Sequence, residues 1–185
     1  MGLEIEKKYR LTKDERERVS ERLRSVGAEF RGAEFEENTL YSGGVINQQN
    51  CTLRLRRVEG HAVLTYKERF PSASAIKHQR EDETRIDDAE AMAAILDALG
   101  YKPALVYEKR RATWRIGETE VVIDELPFGF FMEIEAEERA IVEAEKTLEL
   151  DGIEAEMQTY PQLTRQHGLK NGELIEARFS SRTES

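Results

Sequence analysis

The feature of this sequence that most limits its fold is a pattern of charge that repeats along its predicted strands. In "GLEIEKKYRL", at residues 2–11, Glu4, Glu6 and Lys8 alternate with Ile5 and Lys7. Successive side chains of a β-strand point to opposite faces of a sheet, so the three charges share one face. Taken alone, this alternation is typical of an antiparallel strand with one face in water.

The same charged face returns on one predicted strand after another. It carries Arg54 and Arg56, Lys67, Glu81 and Glu83, Lys109 and Arg111, Asp124, and Glu133 and Glu135. One explanation is an open sheet whose charges pair toward water, which stabilises by only ~0–1 kcal/mol per pair. The other is a closed barrel with a polar lumen and an apolar outer face covered by helices. The alternation alone leaves both arrangements open, and a β-bulge near Arg110 could reverse the phase of that strand.

Turn and cap signals divide the chain into about eight strands and four helices. The predicted strands cover residues 2–11, 33–43, 50–58, 61–70, 76–86, 101–116, 119–126 and 130–138. Thr12 and Glu15 have capping-box spacing at the first helix, and Asp87 or Asp88 begins the second. "ERAIVEAEKTLEL" forms the third, and Thr159 caps the fourth. This order predicts one α+β domain over residues 1–170, followed by a C-terminal tail over residues 171–185.

Composition limits the partners of the protein. The 185 residues include 37 acidic and 28 basic side chains, a net charge of −9, which disfavours nucleic-acid binding. Cys51 is the only cysteine, so an intrachain disulfide is excluded. The start lacks the apolar core of a signal peptide, and no apolar run approaches the ~20 residues of a membrane span. We therefore expect a cytoplasmic protein without a membrane partner, and the choice between monomer and homodimer stays open.

A closed lumen would bring two opposite kinds of group together. Carboxylates that share a lumen raise each other's pKa unless a cation neutralises them. All-oxygen ligands suit a hard ion such as Mg²⁺ or Mn²⁺. Arginine and lysine side chains in the same lumen are typical of phosphate binding. The acidic set is Glu4, Glu6, Asp124, Glu133 and Glu135, and the basic set, called the basic wall below, is Lys8, Arg54, Arg56, Lys67, Lys109 and Arg111.

The two sets together point to a metal–polyphosphate complex and to phosphoryl or nucleotidyl transfer. At this point the residues resemble a known family, the CYTH superfamily of triphosphate tunnel metalloenzymes. Its E-x-E-x-K signature is similar to Glu4–Lys8 on the first strand. "LRLRR", "LTYK", Glu81-x-Glu83, Lys109-x-Arg111, "VVIDELPFGFFMEIE" and "TYPQL" follow in the family's order between residues 2 and 168.

The resemblance implies an eight-stranded antiparallel β-barrel, the triphosphate tunnel, with peripheral helices. It implies that Glu4, Glu6 and Glu135 hold one metal ion, while Asp124 and Glu133 serve a second. The basic wall would then clamp the triphosphate, with Glu81 and Glu83 among the substrate-binding residues. Within that set, we expect Lys8, Arg54 and Arg56 to carry the catalysis.

Three functions are compatible with such a tunnel. The leading hypothesis is a Mg²⁺- or Mn²⁺-dependent hydrolase of a small triphosphate, either tripolyphosphate or thiamine triphosphate. The second is a class IV adenylyl cyclase that converts ATP to cyclic AMP and pyrophosphate, and the phosphate site alone does not discriminate between the two. The third is a non-catalytic barrel that binds polyphosphate or a nucleotide. The acidic set argues against the third, because binding alone needs only the basic wall.

Overall fold

The computed structural model describes residues 2–44, 46, 51–71 and 75–180, which form ten strands and four helices. Residue 50 of the predicted strand 50–58 and residues 181–185 of the predicted tail lie outside the described residues. The strands are β1 (Gly2–Leu11), β2 (Glu29–Ser42), β3 (Cys51–Val58), β4 (His61–Arg69), β5 (Ile76–Ile86), β6 (Lys102–Ile116), β7 (Thr119–Leu126), β8 (Gly129–Glu135), β9 (Leu169–Asn171) and β10 (Leu174–Ala177). The helices are α1 (Lys13–Ser25), α2 (Ala89–Ala98), α3 (Glu138–Thr147) and α4 (Tyr160–His167).

The first eight strands close into an antiparallel barrel. Their order is β2-β3-β4-β5-β1-β8-β7-β6, and β6 closes the circle by pairing with β2 from Glu29 to Ser42. This confirms the predicted eight-stranded barrel and removes the open-sheet alternative. β10 pairs in parallel with β6 and antiparallel with β9, and these two strands were not among the predicted eight.

The outer face of the barrel is apolar because helices cover it. Met132 and Ile134 of β8 are fully buried against Leu23 of α1 and Ile141 of α3. On the opposite side, Leu96 of α2 packs in a second cluster on β3 and β4. Each fully buried aliphatic side chain stabilises the fold by ~1.5–3 kcal/mol. Since the apolar residues of the strands serve this outer contact, the alternate polar residues face the lumen.

The helices begin where their caps were predicted. Thr12 and Glu15 form a complete capping box before α1, and Thr159 and Gln162 form another before α4. Of the two aspartates proposed for α2, Asp88 is the cap, with its side chain accepting the Ala91 backbone N–H. Among the helices of the described residues, none has the length and apolar character that crossing a membrane requires.

Candidate active site

The lumen contains a cavity of about 950 Å³. Every predicted site residue except Asp124 lines it: Glu4, Glu6, Lys8, Arg54, Arg56, Lys67, Glu81, Glu83, Lys109, Arg111, Glu133 and Glu135. The phase of β6 is settled by its neighbours. Lys109 is 1% exposed, whereas Arg110 lies on the outer surface and pairs with Glu125. No bulge reverses the strand there, since Arg110, Arg111 and their partners on β7 keep a continuous register.

Cations of the chain itself hold most of the lumen carboxylates. Lys67 Nζ lies 2.8 Å from Glu4 Oε2, and Lys77 Nζ lies 3.5 Å from Glu6 Oε1. The Glu133 carboxylate forms ion pairs with Lys8 Nζ at 3.1 Å and with Arg111 Nη2 at 2.8 Å. Glu135 has no ion-pair partner among the described residues. The acidic and basic sets are therefore interleaved rather than segregated.

Two carboxylates of the lumen have a raised pKa because they are buried and because other carboxylates lie close to them. Burial, together with the carboxylates of Glu4 and Glu120, raises the pKa of Glu135 to about 7. Burial and a hydrogen bond with Glu4 raise the pKa of Glu81 to about 8. A divalent cation would relieve the same repulsion that these protons relieve.

The donor set fits a hard divalent cation, because Glu4, Glu6 and Glu135 offer only oxygen and lie on the neighbouring strands β1 and β8. In the part of the chain that the structure describes, however, no three acidic, histidine or cysteine side chains stand ready to coordinate an ion. Instead, Lys67 forms an ion pair with Glu4, and Lys77 forms one with Glu6. Binding of a metal at this set therefore requires these lysines to change partners.

The cations of the basic wall crowd each other. Burial and the neighbouring Arg111 lower the pKa of Lys109 to about 8. Among the described side chains, the buried Nε of Arg54 has no hydrogen-bond partner, and the Nε of Arg56 has only an ion-pair contact with Glu36 Oε2 at 3.2 Å. An anion in the cavity would reduce the repulsion among these cations.

Asp124 does not reach the lumen with the other carboxylates. It is fully buried and accepts hydrogen bonds from Arg111 Nε at 2.8 Å and Arg111 Nη2 at 2.6 Å. The Tyr160 hydroxyl of α4 donates to its Oδ2 at 2.7 Å, and burial with the Asp124 charge raises the pKa of Tyr160 well above its usual value. This placement gives no support to Asp124 as a ligand of a second metal. Asp124 instead holds the Arg111 guanidinium in place through these two hydrogen bonds.

Sequence reasoning missed several polar residues at the site. Lys77 and Gln79 continue the alternation of Glu81 and Glu83 toward the start of β5, and Gln79 donates to Glu4 at 2.9 Å. Reading that alternation two steps further back would have found them. Glu36 of β2 is buried beside the basic wall, but β2 carries glutamates on both faces, so alternation gave no signal.

Comparisons with known proteins agree with this architecture. The family model described as the CYTH domain matches residues 2–159. A protein of Methanocaldococcus jannaschii named "Putative adenylate cyclase" is 31% identical over 152 residues, which are 80% of this chain and 84% of that protein.

Two solved structures share the fold. The PH1012 protein of Pyrococcus horikoshii has a TM-score of 0.76 at 24% identity, over 86% of this chain and 98% of its own. HpAC1 of Hippeastrum, an adenylyl cyclase by name whose dominant activity is described as that of a triphosphatase, has a TM-score of 0.71 at 21% identity. That alignment covers 90% of this chain and 97% of HpAC1. With the family model and the archaeal relative both covering most of its length, the chain belongs to the CYTH domain family.

Proposed function

We propose that this protein is a divalent-metal-dependent hydrolase of a small triphosphate, either tripolyphosphate or thiamine triphosphate. The observation that carries the proposal is the convergence of the six cations of the basic wall on one cavity, among them the guanidinium groups of Arg54 and Arg56. Phosphate oxygens are the acceptors that such groups bind most strongly. In the reaction, water adds to the terminal phosphorus and gives up a proton, and the bond from that phosphorus to the bridging oxygen breaks. The bridging oxygen leaves with pyrophosphate or thiamine diphosphate, and orthophosphate is the second product.

The basic wall has two tasks in this reaction. Lys8, Arg54 and Arg56 would contact the transferred phosphoryl group and offset the charge that develops on its oxygens. Lys67, Lys109 and Arg111 would hold the remaining phosphates in ground and transition states alike. Asp124 would contribute by keeping Arg111 oriented, since it accepts two hydrogen bonds from that guanidinium.

Glu81 and Glu83 would act through their cationic neighbours. Glu81 lies 2.9 Å from Lys67 Nζ, and Glu83 lies 3.5 Å from Arg54 Nη2. We therefore propose that both help to orient the basic wall, in addition to the substrate contact that the resemblance implies.

The metal would be held by Glu4, Glu6 and Glu135. A bound Mg²⁺ or Mn²⁺ supplies Lewis acidity, which polarises phosphoryl oxygens and neutralises part of their charge. The crowding that raises the pKa of Glu135 to about 7 supports a cation at this place. When Lys67 leaves Glu4, its ammonium group keeps Glu81 as a partner and gains room for a phosphate oxygen.

A class IV adenylyl cyclase is the second candidate, and apolar residues of the cavity favour a substrate that carries an organic group. Beside its charged residues the lining includes the apolar side chains of Leu40, Ile46, Phe70 and Leu105. These side chains could contact the adenine of ATP, as they could the thiamine of thiamine triphosphate. In cyclisation the ribose 3′-oxygen would attack the α-phosphorus, lose its proton and release pyrophosphate. The name of the archaeal relative points the same way.

One substrate panel decides among the candidates. Tripolyphosphate, thiamine triphosphate and ATP are each incubated with Mg²⁺ or Mn²⁺, and orthophosphate, pyrophosphate and cyclic AMP are measured. Orthophosphate from tripolyphosphate or thiamine triphosphate as the fastest product, abolished by a chelator, supports the proposal. Cyclic AMP with pyrophosphate as the dominant products would establish the cyclase instead. Tight binding without turnover would leave only the non-catalytic barrel.

A further inference from the structure

Behind the basic wall lies a buried carboxylate to which the proposed reaction gives no task. Glu36 of β2 is 0% exposed and does not belong to the lining of the cavity. In the barrel register it stands opposite Lys109 of β6, and Asn38 stands opposite Arg56 of β3. Its side chain thus lies between the two strands that supply most of the basic wall.

Three cations of the wall converge on this one carboxylate. Glu36 Oε2 lies 3.2 Å from Arg56 Nε and 3.3 Å from Lys109 Nζ. Glu36 Oε1 lies 3.7 Å from Arg111 Nε. The side chain of Asn38 donates a hydrogen bond to Oε2 at 3.1 Å and so restrains the carboxylate itself. Glu36 is the shared anchor of cations that come from two different strands.

The charge state of Glu36 agrees with its role as an anchor of the three cations. Burial alone would raise the pKa of Glu36, but Lys109, Arg111 and Arg56 lower it below its usual value, so the group is an anion. Burial and neighbouring cations lower the pKa of both Arg56 and Lys109, which shows how strongly the wall repels itself. The Glu36 charge opposes that repulsion, since it lies within 3.7 Å of all three cations.

Two other roles do not match this position. A metal ion that approached Glu36 would meet Arg56, Lys109 and Arg111 first, and their charge would repel it. A general base must reach the reacting proton directly or through one water, and Glu36 has no exposed surface from which to do so. The carboxylate can therefore influence the reaction only through the cations that it holds.

We propose that Glu36 is a positioning residue: it fixes Arg56, which contacts the transferred phosphoryl group, and it supports Lys109 and Arg111, which hold the neighbouring phosphates. The inference rests on the proposed function to the extent that a phosphoryl or nucleotidyl group is transferred in this lumen. It goes beyond the motif residues, because the sequence pattern of β2 gives Glu36 no signature.

The test is the variant Glu36→Gln, which keeps the shape of the side chain and removes its charge. We expect kcat to fall at least tenfold, because Arg56 loses the carboxylate that fixes it toward the transferred phosphoryl group, while Asp124 still holds Arg111. The affinity for tripolyphosphate, measured by titration calorimetry in a chelator, should be unchanged or tighter, since the wall gains net positive charge. The matched control is Glu37→Gln. Glu37 pairs with Arg57 and Arg178 on the outer surface, and its variant should keep the wild-type kcat.

A merely structural role would lower the melting temperature and the active fraction but would not separate kcat from affinity in this way. A kcat of Glu36→Gln within twofold of the wild type would overturn the inference, as would weaker binding at unchanged kcat. If Glu36→Gln does not fold, Glu36→Asp decides. It keeps the charge on a shorter stem, so kcat should fall several-fold at unchanged affinity, and a wild-type kcat overturns the inference.

The outcome for the proposed function is read from the wild type alone. A wild type that hydrolyses tripolyphosphate while Glu36→Gln is equally fast removes only the role of Glu36. A wild type that cyclises ATP without hydrolysis removes the proposed function, and the kcat of cyclisation then decides on Glu36. A wild type that turns over neither substrate removes both.

Discussion

Lys67 bridges two carboxylates of the lumen, with its Nζ 2.8 Å from Glu4 Oε2 and 2.9 Å from Glu81 Oε2. Glu4 is one of the three proposed metal ligands, so a metal ion and Lys67 compete for it. Lys67 also belongs to the basic wall, so its displacement from Glu4 by a metal ion would leave it on Glu81 with one side open to phosphate. Because binding linkage is reciprocal, metal and triphosphate should each increase the affinity for the other.

The first prediction concerns this competition. Lys67→Met should bind Mn²⁺ about tenfold more tightly than the wild type when no triphosphate is present, because the competing charge is gone. Titration calorimetry or the electron paramagnetic resonance of free Mn²⁺ measures the change. Lys67→Arg, which keeps the charge, is the control and should stay near the wild type. An unchanged or weaker Mn²⁺ affinity in Lys67→Met would show that Lys67 does not compete with the metal.

The second prediction concerns Glu135 in metal-free protein. Its pKa rises from an ordinary 4.5 to about 7 in the folded state, so the fold binds this proton more tightly than the unfolded chain does. Stability from this group is present at acid pH and is lost as pH rises through 7. Glu135→Gln should therefore raise the melting temperature at pH 8 by about 2–4 °C, an amount kept small by solvent screening. The gain should vanish near pH 4.5.

Thermal unfolding in a chelator at the two pH values measures this effect. Glu135→Gln and Glu4→Gln should both lose metal-dependent turnover while remaining folded. Wild-type turnover in both variants would contradict the assignment of the metal ligands. A melting temperature of Glu135→Gln below that of the wild type at pH 8 would contradict the crowding of carboxylates.

The third prediction follows from Lys109. Burial lowers its pKa to about 8, and a bound phosphate favours its protonated form. The affinity for tripolyphosphate should therefore fall as pH rises through 8, and binding near that pH should take up a proton. Calorimetry in buffers of different ionisation enthalpy measures the uptake. Lys109→Arg stays charged and should lose this step, so the same alkaline fall in Lys109→Arg would exclude Lys109 as its source.

The fourth prediction separates the two tasks of the basic wall. Arg54→Ala and Arg56→Ala should each lower kcat by on the order of 10²–10³, since both side chains are proposed to contact the transferred phosphoryl group. Steady-state kinetics on tripolyphosphate gives kcat and KM for each variant. An unchanged kcat with a raised KM in both would place the chemistry nearer Lys109 and Arg111.

Alternation predicted most of the barrel, and its failures have physical causes. The sequence predicted that β2 begins at residue 33, but the strand begins at Glu29. The error arose at Gly32, which has φ 139° and lies where the register between β2 and β6 shifts. A glycine within a strand pattern indicates a bulge as readily as a strand end. β9 and β10 are joined by the two-residue loop Gly172-Glu173, a glycine hairpin signal that the short length of the strands obscured.

The surroundings of a side chain were harder to predict than the strand face on which it lies. Asp124 has the predicted phase, but whether it meets solvent in the lumen depends on Tyr160, which follows 36 residues later and covers it. Glu36 shares its strand with Glu34 and Glu37, so no alternation marks it. Contacts between distant segments decide both cases, and periodicity within one strand carries no information about them.

The most direct test of this account is crystallographic. Crystals grown with Mn²⁺ and a non-hydrolysable imido analogue of tripolyphosphate would be measured at the manganese absorption edge. We predict an anomalous peak among Glu4, Glu6 and Glu135, with phosphorus density against Arg54 and Arg56 in the same lumen. Manganese and analogue bound only on the outer surface of the barrel, with Lys67 still on Glu4, would contradict it.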